Sequence, residues 1–296
     1  MTDHPCCFAG APRAVFRRAE EKLLRRRAQP ADMEGAVLAA LAEALCGADP
    51  PPAARAAGRA IASAVTAHAA TFAPASEPAY HNQRHQAEAT IAMAWLCARA
   101  CTLGLLTPEA ATAGVLAMAG HDLQHDGSWG SPGVLEEHSA DLTVALAGRA
   151  GLDKPALRAI RRVILATDPL RPPEEAEADD LLCRLAQEAD VFGSLTPGLG
   201  LELSDALARE AAAASYRVQP PIKSFAGRLT LLLRRQRPAT QPGRELGLAD
   251  AVADQIAAMA VFGNGDAEHG ACHLDAMQID EARTSYAAAL AMVASA

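Results

Sequence analysis

Apolar residues recur at three- and four-residue intervals along most of the chain, the spacing that gives a helix one buried face. Proline-rich joints interrupt this pattern at "ADPPPAARA" (48–56), "FAPASEPAY" (72–80), "DPLRPPEEAEADD" (168–180), "VQPPIKS" (218–224) and "RPATQPGRE" (237–245). Between and beside them the periodicity predicts helices over about 13–28, 32–46, 52–71, 81–104, 108–122, 134–149, 154–166, 178–193, 200–215, 222–236, 247–262 and 276–294. Thr107-Pro108-Glu109 is a strong start signal, a capping hydroxyl followed by proline at the first helical position. Runs rich in Val, Ile, Thr and Tyr are scarce, so the expected fold is all-α. No internal repeat and no long linker divides the chain. The expectation is one all-α domain over 1–296, with a catalytic core at about 60–240. N-terminal helices (1–60) and C-terminal helices (245–296) would pack on that core.

Composition refines this picture. Half of the 296 residues are hydrophobic but only 4% are aromatic, so helices must pack closely through alanine. The net charge of −8 argues against a basic surface for nucleic acid. The basic runs "RRAEEKLLRRR" (17–27) and "RLTLLLRRQR" (228–237) read as solvated helix faces. Seven scattered cysteines suit a reduced, cytoplasmic protein better than a disulfide framework. "MTDHPCCFAG" has no signal-peptide pattern, and "IAMAWLCARACTLGLL" (91–106), short and carrying Arg99, reads as a buried helix and not a membrane span. A homo-oligomer is left open.

Candidate chemistry lies in the histidines. Five of the 9, His81, His85, His121, His125 and His138, fall between residues 81 and 138, where an even spread would put about two. His81 and His85, and likewise His121 and His125, are spaced i, i+4, which sets both members of a pair on one face if each lies on a helix. "AGVLAMAGHD" ends an apolar run on an imidazole and a carboxylate, and "LAQEAD" ends another on Asp190. Ionisable groups at a core boundary are costly unless paired or bound to a cation. Imidazole with carboxylate suits Zn, Fe, Mn or, with more oxygen ligands, Mg.

"YHNQRH", "GHDLQHDG", "LEEHSADLTVALA", "IRRVILATD" and "AQEADVFGSLTP" occur in the order found in the class I cyclic nucleotide phosphodiesterases of the HD superfamily, and residues 78 to 230 resemble that family. The resemblance implies a single helical catalytic domain and two divalent metal ions, zinc at the tighter site and Mg or Mn at the second. It implies that His85, His121, Asp122 and Asp190 ligate the tighter metal, with Asp122 bridging to the second. His81 would be the general acid for the leaving oxygen, Glu136 the carboxylate that orients it, and His125 a histidine near the metal-bound water. Tyr80 would flank the substrate. "SFAGRL" (224–229) places Phe225 where relatives carry a purine-clamping glutamine and Arg228 where they carry a stacking phenylalanine, making both substrate-binding candidates. The asparagine that commonly follows the last aspartate is missing from "ADVFGS".

The expected partner is therefore a small phosphodiester, a cyclic nucleotide among the candidates, with no nucleic acid and no membrane. Alternatives are a phosphomonoesterase or nucleotidase, a di-iron oxygenase that would use His125 and His138 as ligands, and a binding module without turnover. Asp168 reads as a local cap, "EHGACH" (268–273) as a polar connection, Trp95 as core, and Trp129 as a candidate for the pocket mouth.

Overall fold

In a computed structural model of the protein, residues 10–73, 76–129, 133–168, 180–218, 221–222, 225–234 and 239–263 are described, and every regular element among them is helical. In chain order these are α1 (Pro12–Arg27), α2 (Met33–Ala44), α3 (Pro52–Ala69), α4 (Gln83–Thr102), α5 (Pro108–Ala119), α6 (Val134–Arg149), α7 (Lys154–Leu165) and α8 (Leu181–Asp190). A 3-10 turn (Gly193–Leu195) leads to α9 (Gly200–Ala213), α10 (Phe225–Arg234), α11 (Gln241–Glu245) and α12 (Leu248–Gly263). The helix expected over 276–294 and the "EHGACH" stretch lie outside the described residues, as does the side chain of Phe225.

α4 is the axis of the fold. From His85 to Ala98 every side chain is buried, because α2, α5, α8 and α11 pack around it. A helix buried on every side belongs in a core, although this one carries His85, Gln86, Glu88 and Thr90 inward with its apolar residues. Among the described residues no helix is long and apolar enough to cross a membrane. Small side chains set the spacing. A Cβ at Gly114 of α5 would lie 2.6 Å from Met93 Cε and 2.9 Å from Leu182 Cδ1, so α5 comes closer to α4 and α8 than any other residue would allow.

Helix boundaries follow local chemistry. Asn82 caps α4, its Oδ1 accepting from the amides of Arg84 (3.0 Å) and His85 (3.2 Å). Thr107, Asp153 and Asp180 cap α5, α7 and α8 in the same way. The short α11 falls inside the stretch "RPATQPGRE" that reads as a joint. Thr240 caps it, and Pro242 sits in its first turn, where proline is tolerated.

The two basic runs are not simply solvated. Arg27 at the end of α1 bonds Glu88 on α4 (2.9 Å) and Glu202 on α9 (3.0 Å). Arg228 of α10 is buried. The periodicity located the helices, but pairing across them drew these two arginines inward.

Candidate metal and acid site

α4, the turn after α5, and the end of α8 meet at one point. His85 comes from the first turn of α4, His121 and Asp122 from a turn that begins where Gly120 ends α5, and Asp190 from the last position of α8. His85 Nε2 lies 3.1 Å from Asp190 Oδ1, 3.4 Å from Asp122 Oδ2 and 3.3 Å from His121 Nε2. His121 Nε2 lies 3.2 Å from Asp122 Oδ2 and 3.3 Å from Asp190 Oδ1. Bonds of about 2.1 Å to a common cation put neighbouring donors about 3.0–3.4 Å apart in octahedral or tetrahedral geometry.

Hydrogen bonding settles what these atoms offer. His121 Nδ1 is 2.8 Å from the carbonyl of Met118, which can only accept, so the proton sits on Nδ1 and the Nε2 lone pair faces the other three residues. Two ring nitrogens 3.3 Å apart cannot both be neutral donors toward one another. Asp122 Oδ2 is buried without a well-formed hydrogen bond. A divalent cation would satisfy all four groups at once, so the donor set is one that could hold a metal ion.

Charge in the metal-free cluster shows the same demand. Burial works to lower the His85 pKa, but the carboxylates of Asp122 and Asp190 overcome it and raise it to about 9. His121 is raised well above the usual imidazole range by the same two aspartates, against burial. Burial acts to raise Asp122 and Asp190, yet His121 and His85 hold both well below the usual carboxylate range.

Beside Asp122 is an acidic wall. Glu136, in the first turn of α6, is pushed up by burial and then by the charges of Asp168 and Asp122. Asp168 is buried, and a Cβ on Gly133 would come within 3.9 Å of its Oδ2. A concentration of carboxylates on one side of Asp122 is the kind of oxygen-rich surface that hard divalent cations prefer.

His81 occupies the other side. It precedes the Asn82 cap, so it lies off α4, yet its ring comes within 5.8 Å of the His85 ring. Its Nδ1–H donates to Glu210 Oε1 of α9, and Glu210 Oε2 also accepts from the amides of Tyr80 (2.8 Å) and His81 (3.0 Å). Glu210, not Glu136, is therefore the carboxylate that orients His81. His81 in turn helps to keep it ionised, drawing its pKa below the usual value against the effect of burial.

His125 stacks on His81, rings 4.2 Å apart and 18° from parallel. Its Nδ1 accepts from the Gly127 amide (3.0 Å), and its carbonyl lies 3.1 Å from His68 Nε2. Burial first, then the neighbouring His81, lowers its pKa to about 4, so the ring is neutral. His81, His125 and Glu210 also lie close enough together to hold a cation, but His81 Nδ1 donates to Glu210 and His125 Nδ1 accepts from the Gly127 amide, so these atoms are already engaged. His138 Nε2 lies 3.2 Å from Gln124 Oε1. Neither His125 nor His138 joins the four-residue cluster, as a di-iron oxygenase would need.

Two expected substrate contacts are placed differently. Tyr80 is buried, its ring 4.6 Å from His85 and its hydroxyl 3.0 Å from Ser194 Oγ, so it packs between α4 and the 3-10 turn. Burial pushes its phenol far above the usual range. Arg228 is 5% exposed and donates to the carbonyls of Ser194 and Thr196 and to the side chain of Gln255 on α12. Its guanidinium holds the turn after Asp190 in place of contacting a ligand. Glu210 and Ser194 were not identified from the sequence. Glu210 sits in "LAREAAAA", where nothing marks it out until α9 is folded against residues 80–81.

No family model matches the chain, and no curated protein sequence does. Among solved structures it is similar to the phosphodiesterase domain of the rhodopsin phosphodiesterase of Salpingoeca rosetta. The TM-score is 0.52 and the identity 17%, covering 71% of this chain and 82% of that one. The likeness is one of fold: this chain has an all-α, phosphodiesterase-like architecture.

Proposed function

We propose that this chain is a metal-dependent phosphodiesterase of the HD superfamily that hydrolyses a cyclic nucleotide or another small phosphodiester. The observation that carries the reading is the placement of His81, held by Glu210, beside the cluster of His85, His121, Asp122 and Asp190. A metal-storage site needs the cluster but not an oriented imidazole next to it. The phosphodiesterase-like fold is consistent with this assignment.

His85, His121, Asp122 and Asp190 would hold the tighter cation, and Asp122 with the carboxylates around Glu136 and Asp168 would attract a second. Bound there, such ions polarise a phosphoryl group and acidify coordinated water. The remaining roles belong to the protein. His81 would act from its imidazolium form: Glu210 holds the Nδ1–H, the second proton on Nε2 passes to the departing alkoxide, and the ring is left as the Nδ1–H tautomer. Neutral His125 stacks on His81 and adds no charge that would drive off that proton. Tyr80, braced by Ser194, keeps the His85 ring in register.

The test is hydrolysis of 3′,5′-cyclic AMP and of bis(p-nitrophenyl) phosphate by protein loaded with Zn²⁺ and Mn²⁺ or Mg²⁺. Metal-dependent turnover should fall at least about 10³-fold in Asp122→Ala, with loss of bound metal. Protein that holds both metals and cleaves neither ester would overturn the reading.

A further inference from the structure

The two halves of the site belong to different helices. α4 carries His85 and starts just after His81, whereas Glu210, which orients His81, comes from α9. An acid and the metal ligands must keep a fixed separation, since a misplacement of about 1 Å can cost about 10²-fold in rate. Yet α9 does not pack along α4 as α2, α5, α8 and α11 do. Side chains must therefore set the distance between them.

Glu210 provides one link, to residues 80 and 81. Arg27, the last residue of α1, provides another. Its guanidinium donates from Nε to Glu88 Oε1 (2.9 Å) and from Nη1 to Glu202 Oε1 (3.0 Å). Glu88 lies one turn beyond His85 on α4, and Glu202 two turns before Glu210 on α9. Glu88 is buried, and a Cβ on Gly193, in the 3-10 turn after Asp190, would lie 3.9 Å from its Oε2. A planar arginine fork can hold two carboxylates in fixed directions, which a lysine cannot. α1 is itself anchored at both helices. Arg84, beside His85, donates to the carbonyls of Arg27 (2.6 Å) and Gln29 (2.9 Å), acceptors that a helix C-terminus leaves open. Glu20 accepts from the amide of Gly198 (2.6 Å), just ahead of α9.

We infer that Arg27 is a positioning residue, a pin that sets α9 against α4 and so keeps the His81–Glu210 pair in register with the metal ligands. It acts through Glu88 and Glu202. The inference rests on the phosphodiesterase reading for what that register serves, but not for the pin itself. The Glu202 side chain is 51% exposed, so its arm of the bridge adds little to stability and its contribution is to geometry.

The experiment uses the full chain loaded with Zn²⁺ and Mg²⁺. Arg27→Met alone would strand the buried Glu88 charge, so two other variants carry the test. Glu202→Ala cuts the arm to α9 at the surface. Arg27→Met combined with Glu88→Leu replaces the buried pair by apolar groups and keeps α1 packed on α4. Both should stay folded and bind as much Zn²⁺ as the parent. Nitrogen-15 NMR of the histidine rings reads the pin without turnover. The His81 Nδ1–H resonance should shift or broaden in each variant, while that of His121, held by the Met118 carbonyl, should not move. Hydrolysis of a dialkyl phosphate should fall about tenfold, with bis(p-nitrophenyl) phosphate little changed. An unchanged His81 resonance in either folded variant, or an equal disturbance of His121, would overturn the inference. The two ideas separate cleanly. Parent turnover with an unmoved His81 resonance in the variants removes the pin and leaves the phosphodiesterase reading. A disturbed His81 resonance in a protein whose parent cleaves neither ester keeps the pin and removes that reading.

Discussion

A single carboxylate decides what His81 can do. With Glu210 accepting from Nδ1, the imidazole is fixed in one tautomer and one orientation. Glu210→Gln keeps the shape but weakens the charge-assisted bond. Cleavage of esters with poor leaving groups should slow about 10²-fold, while activated nitrophenyl esters should be little affected and bound metal should stay constant. Steady-state rates across leaving groups of graded pKa provide the check, and equal loss on all of them would remove His81 from the acid role.

Titration of the ligand residues follows from the same local chemistry. In metal-free protein the folded pKa of His85, about 9, lies above its unfolded value of 6.5. Its contribution to stability is thus fully present below pH 6.5 and lost as pH rises through about 9. Asp190 is shifted the other way, so its contribution is present above its ordinary 3.8 and lost as pH falls through its depressed folded value. Metal-free protein should therefore lose melting temperature between pH 7 and 9, and saturating Zn²⁺ should abolish that decline. Zn²⁺ must also displace protons from the imidazoles at neutral pH. Calorimetry in buffers of different ionisation enthalpy should detect their release, and affinity should rise with pH up to about 9.

At the scale of elements, the junction after α8 is held by side chains from far along the sequence. Arg228 on α10 and Gln255 on α12 bind the carbonyls of Ser194, Leu195 and Thr196. These bonds fix the turn that sets Ser194 against Tyr80 and so Tyr80 against His85. Arg228→Met would leave several buried acceptors without donors, each costing about 1–3 kcal/mol. A loss of about 3 kcal/mol in urea unfolding, partly recovered in Arg228→Lys, is the expected result. A KM effect with unchanged stability would return Arg228 to the substrate. Its true position was not legible in "RLTLLLRRQR", because a basic residue on an amphipathic helix looks the same whether its neighbours are water or carbonyl oxygens. Asn82 shows a local signal that the periodicity alone passed over: as the N-cap it accounts for the start of α4 at Gln83, two residues beyond the expected boundary.

For the whole molecule, the all-α class, most of the helices and the grouping of His85, His121, Asp122 and Asp190 were readable in the chain itself, whereas α11 fell in an expected joint. Helical periodicity is a property of neighbouring residues, and so is the approach of His121 to Asp122, which are adjacent. His85, His121, Asp122 and Asp190 were grouped through motif order, and packing brings their donor atoms to 3.1–3.4 Å from one another across the two histidines. Only the tertiary structure decided that Glu210 supports His81, that Arg228 and Arg27 turn inward, and that Trp129 meets Tyr216. Each of these contacts joins residues at least 27 apart, on segments whose own patterns carry no mark of the partner. Local sequence determines which face of a helix is apolar, but the helix on which that face lands depends on how alanine-lined surfaces fit together across the whole core.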